Sequence, residues 1–102
     1  MDVILVKRSI RMAKQAIASP EDLERFAKEL RRFNQQLTEN TRRLKGSFQR
    51  VGETWRDQEH QKFAAEFEQT MRTLDRFVQA SEKQIPTLKK KAKHLRNYLG
   101  QR

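Results

Sequence analysis

Leucine recurs with a seven-residue period along the first half of the chain, at Leu23, Leu30, Leu37 and Leu44, and Val51 completes the series. Phe26 and Phe33 fill the intermediate positions, while Ala27 and Phe48 widen the stripe by one place. This heptad pattern predicts one amphipathic helix over about 20–51. Ser19-Pro20-Glu21-Asp22 is its start signal. Ser19 can accept from an orphan first-turn amide, Pro20 sits where a missing N–H costs nothing, and the two acids face the positive end of the helix dipole. A second track follows: Ala64, Phe67, Met71, Leu74, Val78, Ser81, Ile85, Leu88, Ala92, Leu95 and Leu99, with spacings that alternate between three and four. It predicts a second helix over about 55–99, capped by Thr54-x-x-Asp57 and ended by Gly100. Pro86 falls inside and removes one backbone bond, so a kink is expected there, with the last dozen residues angled away or frayed off.

Gly52-Glu53-Thr54 separates the two tracks, and helices joined by so few residues run antiparallel. Gly52 suits the left-handed residue that ends many helices. Trp55, the only tryptophan, stands at the joint with Asp57 beside it, as an aromatic plug between helix ends. The expected fold is therefore all-α, an antiparallel hairpin with a tryptophan-containing turn. Stripe width decides how it assembles. A helix with one neighbour needs two apolar positions per heptad, and one with two neighbours needs three. Phe63 and Phe77 lie beside the main track of the second helix and bring its count nearer three. The hairpin is thus expected to dimerise into a four-helix bundle, with Leu30, Phe33, Leu37, Phe67, Leu74 and Val78 as the interface band. Asn40, Ser47 and Ser81 interrupt the apolar positions, and Asn40 is a candidate for fixing register or partner choice.

At 102 residues the chain is one domain at most. Hydrophobic and charged residues each make up 35%, a composition of long helices rather than of a compact globule. Residues 1–18 have no clean period and read as an N-terminal arm, disordered or preceding a natural start at Met12. There is no cysteine, so disulfides, thiolate metal sites and cysteine nucleophiles are excluded. No apolar run approaches the length of a spanning helix, and Val3-Ile4-Leu5-Val6 is too short for a signal-peptide core. The expected location is cytoplasmic, or outside the cell by a route that reads no signal peptide.

The net charge of +10 is concentrated at one end: residues 83–102 hold seven Lys/Arg and no acid. Lys89, Lys90, Lys91, Lys93 and Arg96 form the core of this cluster. It reads as a solvated helix face, as a basic module binding nucleic acid, or as a short amphipathic element for an anionic surface. The aromatics lie on the apolar tracks rather than among the lysines, so base stacking has little support. Catalysis has less. His60 and His94 have no third ligand at helical spacing, there is no glycine-rich phosphate loop, and no serine has a base partner. The chain is read as a non-enzyme without cofactor or metal.

The hairpin pattern with a tryptophan at its tight turn resembles the WXG family of type VII (ESX-type) secretion-associated proteins. The resemblance runs from about Pro20 to Leu99 and rests on the Phe26/Leu30/Phe33/Leu37 track, Trp55 at the hinge, and the Phe63–Phe67 and Leu88–Leu95 tracks. It implies a homodimer, or a heterodimer with a homologous hairpin protein, that is a secretion substrate, substrate partner or adaptor meeting the secretion machinery. Two features depart from the family pattern. Trp55-Arg56-Asp57 stands where the family has Trp-x-Gly. Tyr98 is placed for the family's Tyr-x-x-x-Asp/Glu export signal, but its fourth successor is Arg102 rather than an acid.

Overall fold

A computed structural model describes residues 19–100, so the expectations for residues 1–18 lie outside the described residues. Two helices account for nearly all of it: α1, Pro20–Val51, and α2, Gln58–Gly100. They lie side by side as an antiparallel hairpin, a sheet-like slab whose Cα extents are 69 × 34 × 14 Å. At 14 Å the molecule is one helix thick. A single layer has one seam and no second layer to cover its faces.

Ser19 caps α1 by accepting the Asp22 N–H at 3.0 Å, and Pro20 follows in the first turn. The other end differs from the sequence expectation. Gly52 has φ −64° and ψ −15°, right-handed, and no described glycine has positive φ. The chain winds on instead: Gly52 N–H donates to the Phe48 carbonyl, and Thr54 and Trp55 both donate to that of Val51. Glycine is needed there for space. A Cβ on Gly52 would stand 3.3 Å from the Gln49 carbonyl oxygen and 3.4 Å from His60 Nε2. The second cap is also displaced. Thr54 Oγ1 turns back to the Val51 carbonyl, while Asp57 Oδ1 accepts the His60 N–H at 3.0 Å. Asp57 is therefore the cap, α2 starts at Gln58 rather than near 55, and Trp55 lies in the turn.

The seam runs through small and polar residues of α1. Ala27, Asn34 and Thr41 are buried, seven residues apart, with Pro20 one period earlier. Opposite them Met71, Ser81, Ile85, Ala92 and Leu95 are buried on the alternating track of α2. Small residues let the helices approach closely. They also leave the larger leucines and phenylalanines of α1 outside the seam. At its centre Ser81 Oγ donates to Asn34 Oδ1 at 2.8 Å, and also lies 3.2 Å from the Val78 carbonyl. Asn34 is 1% exposed. It, and not the exposed Asn40, is the polar residue at a seam position of α1.

Pro86 does not peel the end of α2 away. The helix is continuous from Gln58 to Gly100. Pro86 sits on the exposed side, whereas Ile85 and Ala92 on either side of it are 0% exposed. The proline ring meets solvent, so the apolar track passes it unbroken. Ile85 is the largest hydrophobic side chain sealed in the seam. Ile85→Ala is expected to cost about 2–5 kcal/mol in urea unfolding, the range for a buried aliphatic truncation that leaves a cavity.

Candidate functional site

Successive residues on a helix are about 100° apart, and that fixes which side of the seam each neighbour occupies. Phe33 comes one residue before Asn34, and Phe77 one before Val78, so both lie on the same side of their seam residues. Their rings meet edge-on at 6.0 Å, which ties the two helices' outer apolar positions into one face. On α1 this face carries Phe26, Phe33, Leu44 and Val51, and on α2 Phe63 and Phe77. Phe26 is 52%, Phe33 50% and Leu44 50% exposed, far more than such side chains need to be in a covered core. Leu23, Leu30 and Leu37 are half-buried along its inner margin.

The other edge of the seam is polar. Glu24, Lys45, Asp75 and Arg96 each follow a seam residue by four, and they pair across the helices. Lys45 Nζ lies 3.5 Å from Asp75, and Arg96 reaches Glu24 at 2.5 Å and Glu21 at 3.5 Å. One edge is thus closed by ion pairs, and the opposite face is apolar and open.

The expected interface band divides between these regions. Phe33 stands on the open face, and Leu30 and Leu37 lie half-buried beside it. Phe67, Leu74 and Val78 are half-buried on the α2 track that meets α1. The basic cluster also divides. Lys89, Lys90, Lys91 and Lys93 are exposed and spread around the circumference of α2, because consecutive residues point about 100° apart. Arg96 is held against α1. Its guanidinium, hydrogen-bonded to Glu24, keeps that carboxyl below its ordinary value of 4.5, and Glu24 in turn raises Arg96. Because folding lowers the Glu24 value, the pair stabilises the fold at neutral pH, and this contribution is lost as pH falls through the lowered value. Arg96→Gln should therefore be less stable than the parent at pH 7, with the two converging below about pH 4 in thermal melts. The exposure of both groups keeps the difference small.

At the turn end, aromatic rings gather around His60. Its imidazole stacks on Phe48 at 5.3 Å, with an interplanar angle of 17°, and meets Trp55 edge-on at 5.0 Å. Phe63 touches Phe48, Phe67 and Trp55, closing the group. Trp55 thereby joins the turn to α2, and Gly52 supplies the close approach that lets His60 fit under it. Asp57 orients the first turn by capping. Sequence reasoning placed His60 in a solvated first turn. The missed signal was its spacing: 60, 64 and 67 extend the four-three alternation of the α2 track. His60 Nε2 is buried with no hydrogen-bond partner. His60→Phe keeps the stacking and removes that orphan atom, so it should stabilise the hairpin by about 1 kcal/mol in urea unfolding.

Shallow grooves beside the tip, of about 450 and 620 Å³, are lined by Lys45, Phe48 and Gln49 together with turn or α2 residues. Among the described residues no group of three His, Asp or Glu side chains is placed to hold a metal ion, and no helix is long and apolar enough to cross a membrane. The family model described as WXG100, proteins of 100 residues with WXG, matches residues 15–98. No curated protein and no solved structure matches the chain.

Proposed function

Because the chain belongs to the WXG100 family, small helical proteins associated with type VII secretion substrates, we propose that it acts by protein–protein association in such a secretion context. Its role is that of a small substrate, a substrate's partner or an adaptor, and the partner is a second helical hairpin, its own copy or a homologue. The observation that carries this reading is the open apolar face. A hairpin one helix thick leaves Phe26, Phe33, Leu44, Phe63 and Phe77 about half exposed on one side. Contiguous apolar patches on that scale mark interaction surfaces. A second hairpin laid on the face would bury it and give each helix the second neighbour that its three-wide stripe requires.

Trp55 departs from the family's turn in being followed by Arg56-Asp57, and Asp57 is used here as the α2 cap. The aromatic tip keeps its packing without the glycine that the family has after its tryptophan. This supports a tip that is a finished structural element rather than a degraded motif.

Export tests the reading. In native cells the tagged chain should reach the medium when the type VII system is intact and stay inside when that system is disabled. Equal amounts in the medium in both strains would remove the secretion context. Phe33→Asp changes an exposed side chain and should leave the helical signal intact. It should weaken association about tenfold or more, as loss of an aromatic anchor does, and lower export with it.

A further inference from the structure

Three seven-residue tracks run along the open side of α1, and all three invert about one point. The outer rim reads Asp22, Glu29, Gln36, Arg43, Arg50: two acids, a neutral centre, two bases, all exposed. Next to it runs a size track of Phe26, Phe33, Asn40 and Ser47, two bulky residues followed by two small ones. The inner margin, Leu23, Leu30, Leu37, Leu44 and Val51, is apolar throughout. Read backwards, acids fall on bases, phenyl rings fall on asparagine and serine, and aliphatic residues fall on aliphatic ones. The midpoints are residue 36, the 36–37 bond and residue 37. A surface complementary to its own reverse is what a two-fold axis crossing a helix requires.

We propose that the open face is closed by a second copy of this chain, α1 lying antiparallel on the partner's α1, with the two-fold axis passing near Gln36 and Leu37. This rests on the association reading above and goes further by naming the partner and its orientation. Asp22 then faces the partner's Arg50, and Glu29 faces the partner's Arg43. Phe33 covers the partner's Asn40, and Phe26 covers the partner's Ser47. The same operation lays α2 on the partner's α2, with Glu59 and Glu66 turned toward the partner's Lys91 and His94. The pairs of Asp22 with Arg25 and of Arg43 with Glu39 within α1 are exposed and easily shared, so they do not compete with this arrangement.

The other two-fold arrangement, with both tips at the same end, would set α1 on the partner's α2. Within the chain Phe33 and Phe77 stand at the same level. That arrangement would put Phe33 on the partner's Phe77 and Asn40 near the partner's Thr70, bulky on bulky and polar on polar. The size track of α1 fits only the antiparallel choice.

Charge exchange is the test, read by sedimentation equilibrium of the 12.2 kDa chain at moderate salt. Arg43→Glu/Arg50→Glu makes the rim wholly acidic, and Asp22→Lys/Glu29→Lys makes it wholly basic. Each alone should dimerise about tenfold more weakly than the parent, four like-charged contacts replacing four modest pairs. An equal mixture should recover the parent's affinity as a mixed dimer, identified by its mass. Cross-linking gives an independent reading, since the parent has no cysteine. Gln36→Cys should join its own copy through a short bis-maleimide. Asp22→Cys should not, because antiparallel copies hold those positions roughly 40 Å apart.

A parent that dimerises without rescue in the mixture, or in which both cysteines cross-link equally, would overturn the antiparallel α1 contact and leave association standing. A parent that stays monomeric at high concentration would overturn self-closure and assign the face to a homologous hairpin. Loss of type VII-dependent export is the separate result that counts against the association reading itself.

Discussion

A seam built from Ala27, Asn34 and Thr41 can hold only one helix, and it holds that helix closely. Everything else follows from the small size of these residues. Because α2 fits into the track of small side chains, the leucines and phenylalanines of α1 are turned about 60–100° away from it. They cannot be buried by the chain itself. Had leucine occupied the seam, the hairpin would be thicker and more self-sufficient, and its outer side would be free to be polar. The sequence divides the labour differently. Close approach and a hydrogen bond between Ser81 and Asn34 join the sister helices, and bulk is reserved for a second contact.

The polar centre of the seam has a defined cost and a defined effect. Asn34 Nδ2 is buried without a partner, which forfeits some of the stability that an aliphatic residue would give. In exchange, the Asn34–Ser81 bond is satisfied in one register only, and sliding α2 by a turn would leave both groups unpaired in an apolar seam. The interhelical ion pairs at Lys45–Asp75 and Glu24–Arg96 mark the same register near the two ends. They are too exposed to add much stability, but they keep one edge of the seam polar. That edge offers nothing to a second hairpin, so association is directed to the opposite face.

Heptad spacing made both helices, their antiparallel arrangement and the aromatic turn legible in the sequence, because period and turn length are local properties. The rotation of α1 about its axis was not legible. A stripe three positions wide is compatible with any one of them facing the sister helix, and the largest residues attract attention first. Only the packing reveals that Ala27 and Asn34 face α2 while Phe26 and Phe33 do not. The same ambiguity misplaced the polar seam residue by six positions, from Asn34 to Asn40. Thr54 and Asp57 are both competent caps, and the choice of Asp57 depends on where the aromatic tip needs His60. Pro86 signals a break by its chemistry, yet its helix face decides the outcome: on the solvent side it removes one bond without disturbing Ile85 or Ala92.

The excess of positive charge sets the conditions under which the open face can be covered. Each chain carries +10, and most of the surplus sits beyond residue 82. Two copies, or this chain with another basic hairpin, repel one another at long range. A rim of opposite charges attracts at short range, and apolar burial is nearly indifferent to salt. Screening acts first on the long-range part, because separations beyond a Debye length of about 10 Å at 0.1 M are the ones it removes. Moderate salt therefore relieves the net repulsion before it erodes the rim contacts. An acidic partner would reverse this balance, gaining long-range attraction that salt removes. Charge thus discriminates between partners by how association responds to ionic strength, while the apolar face supplies the affinity common to both.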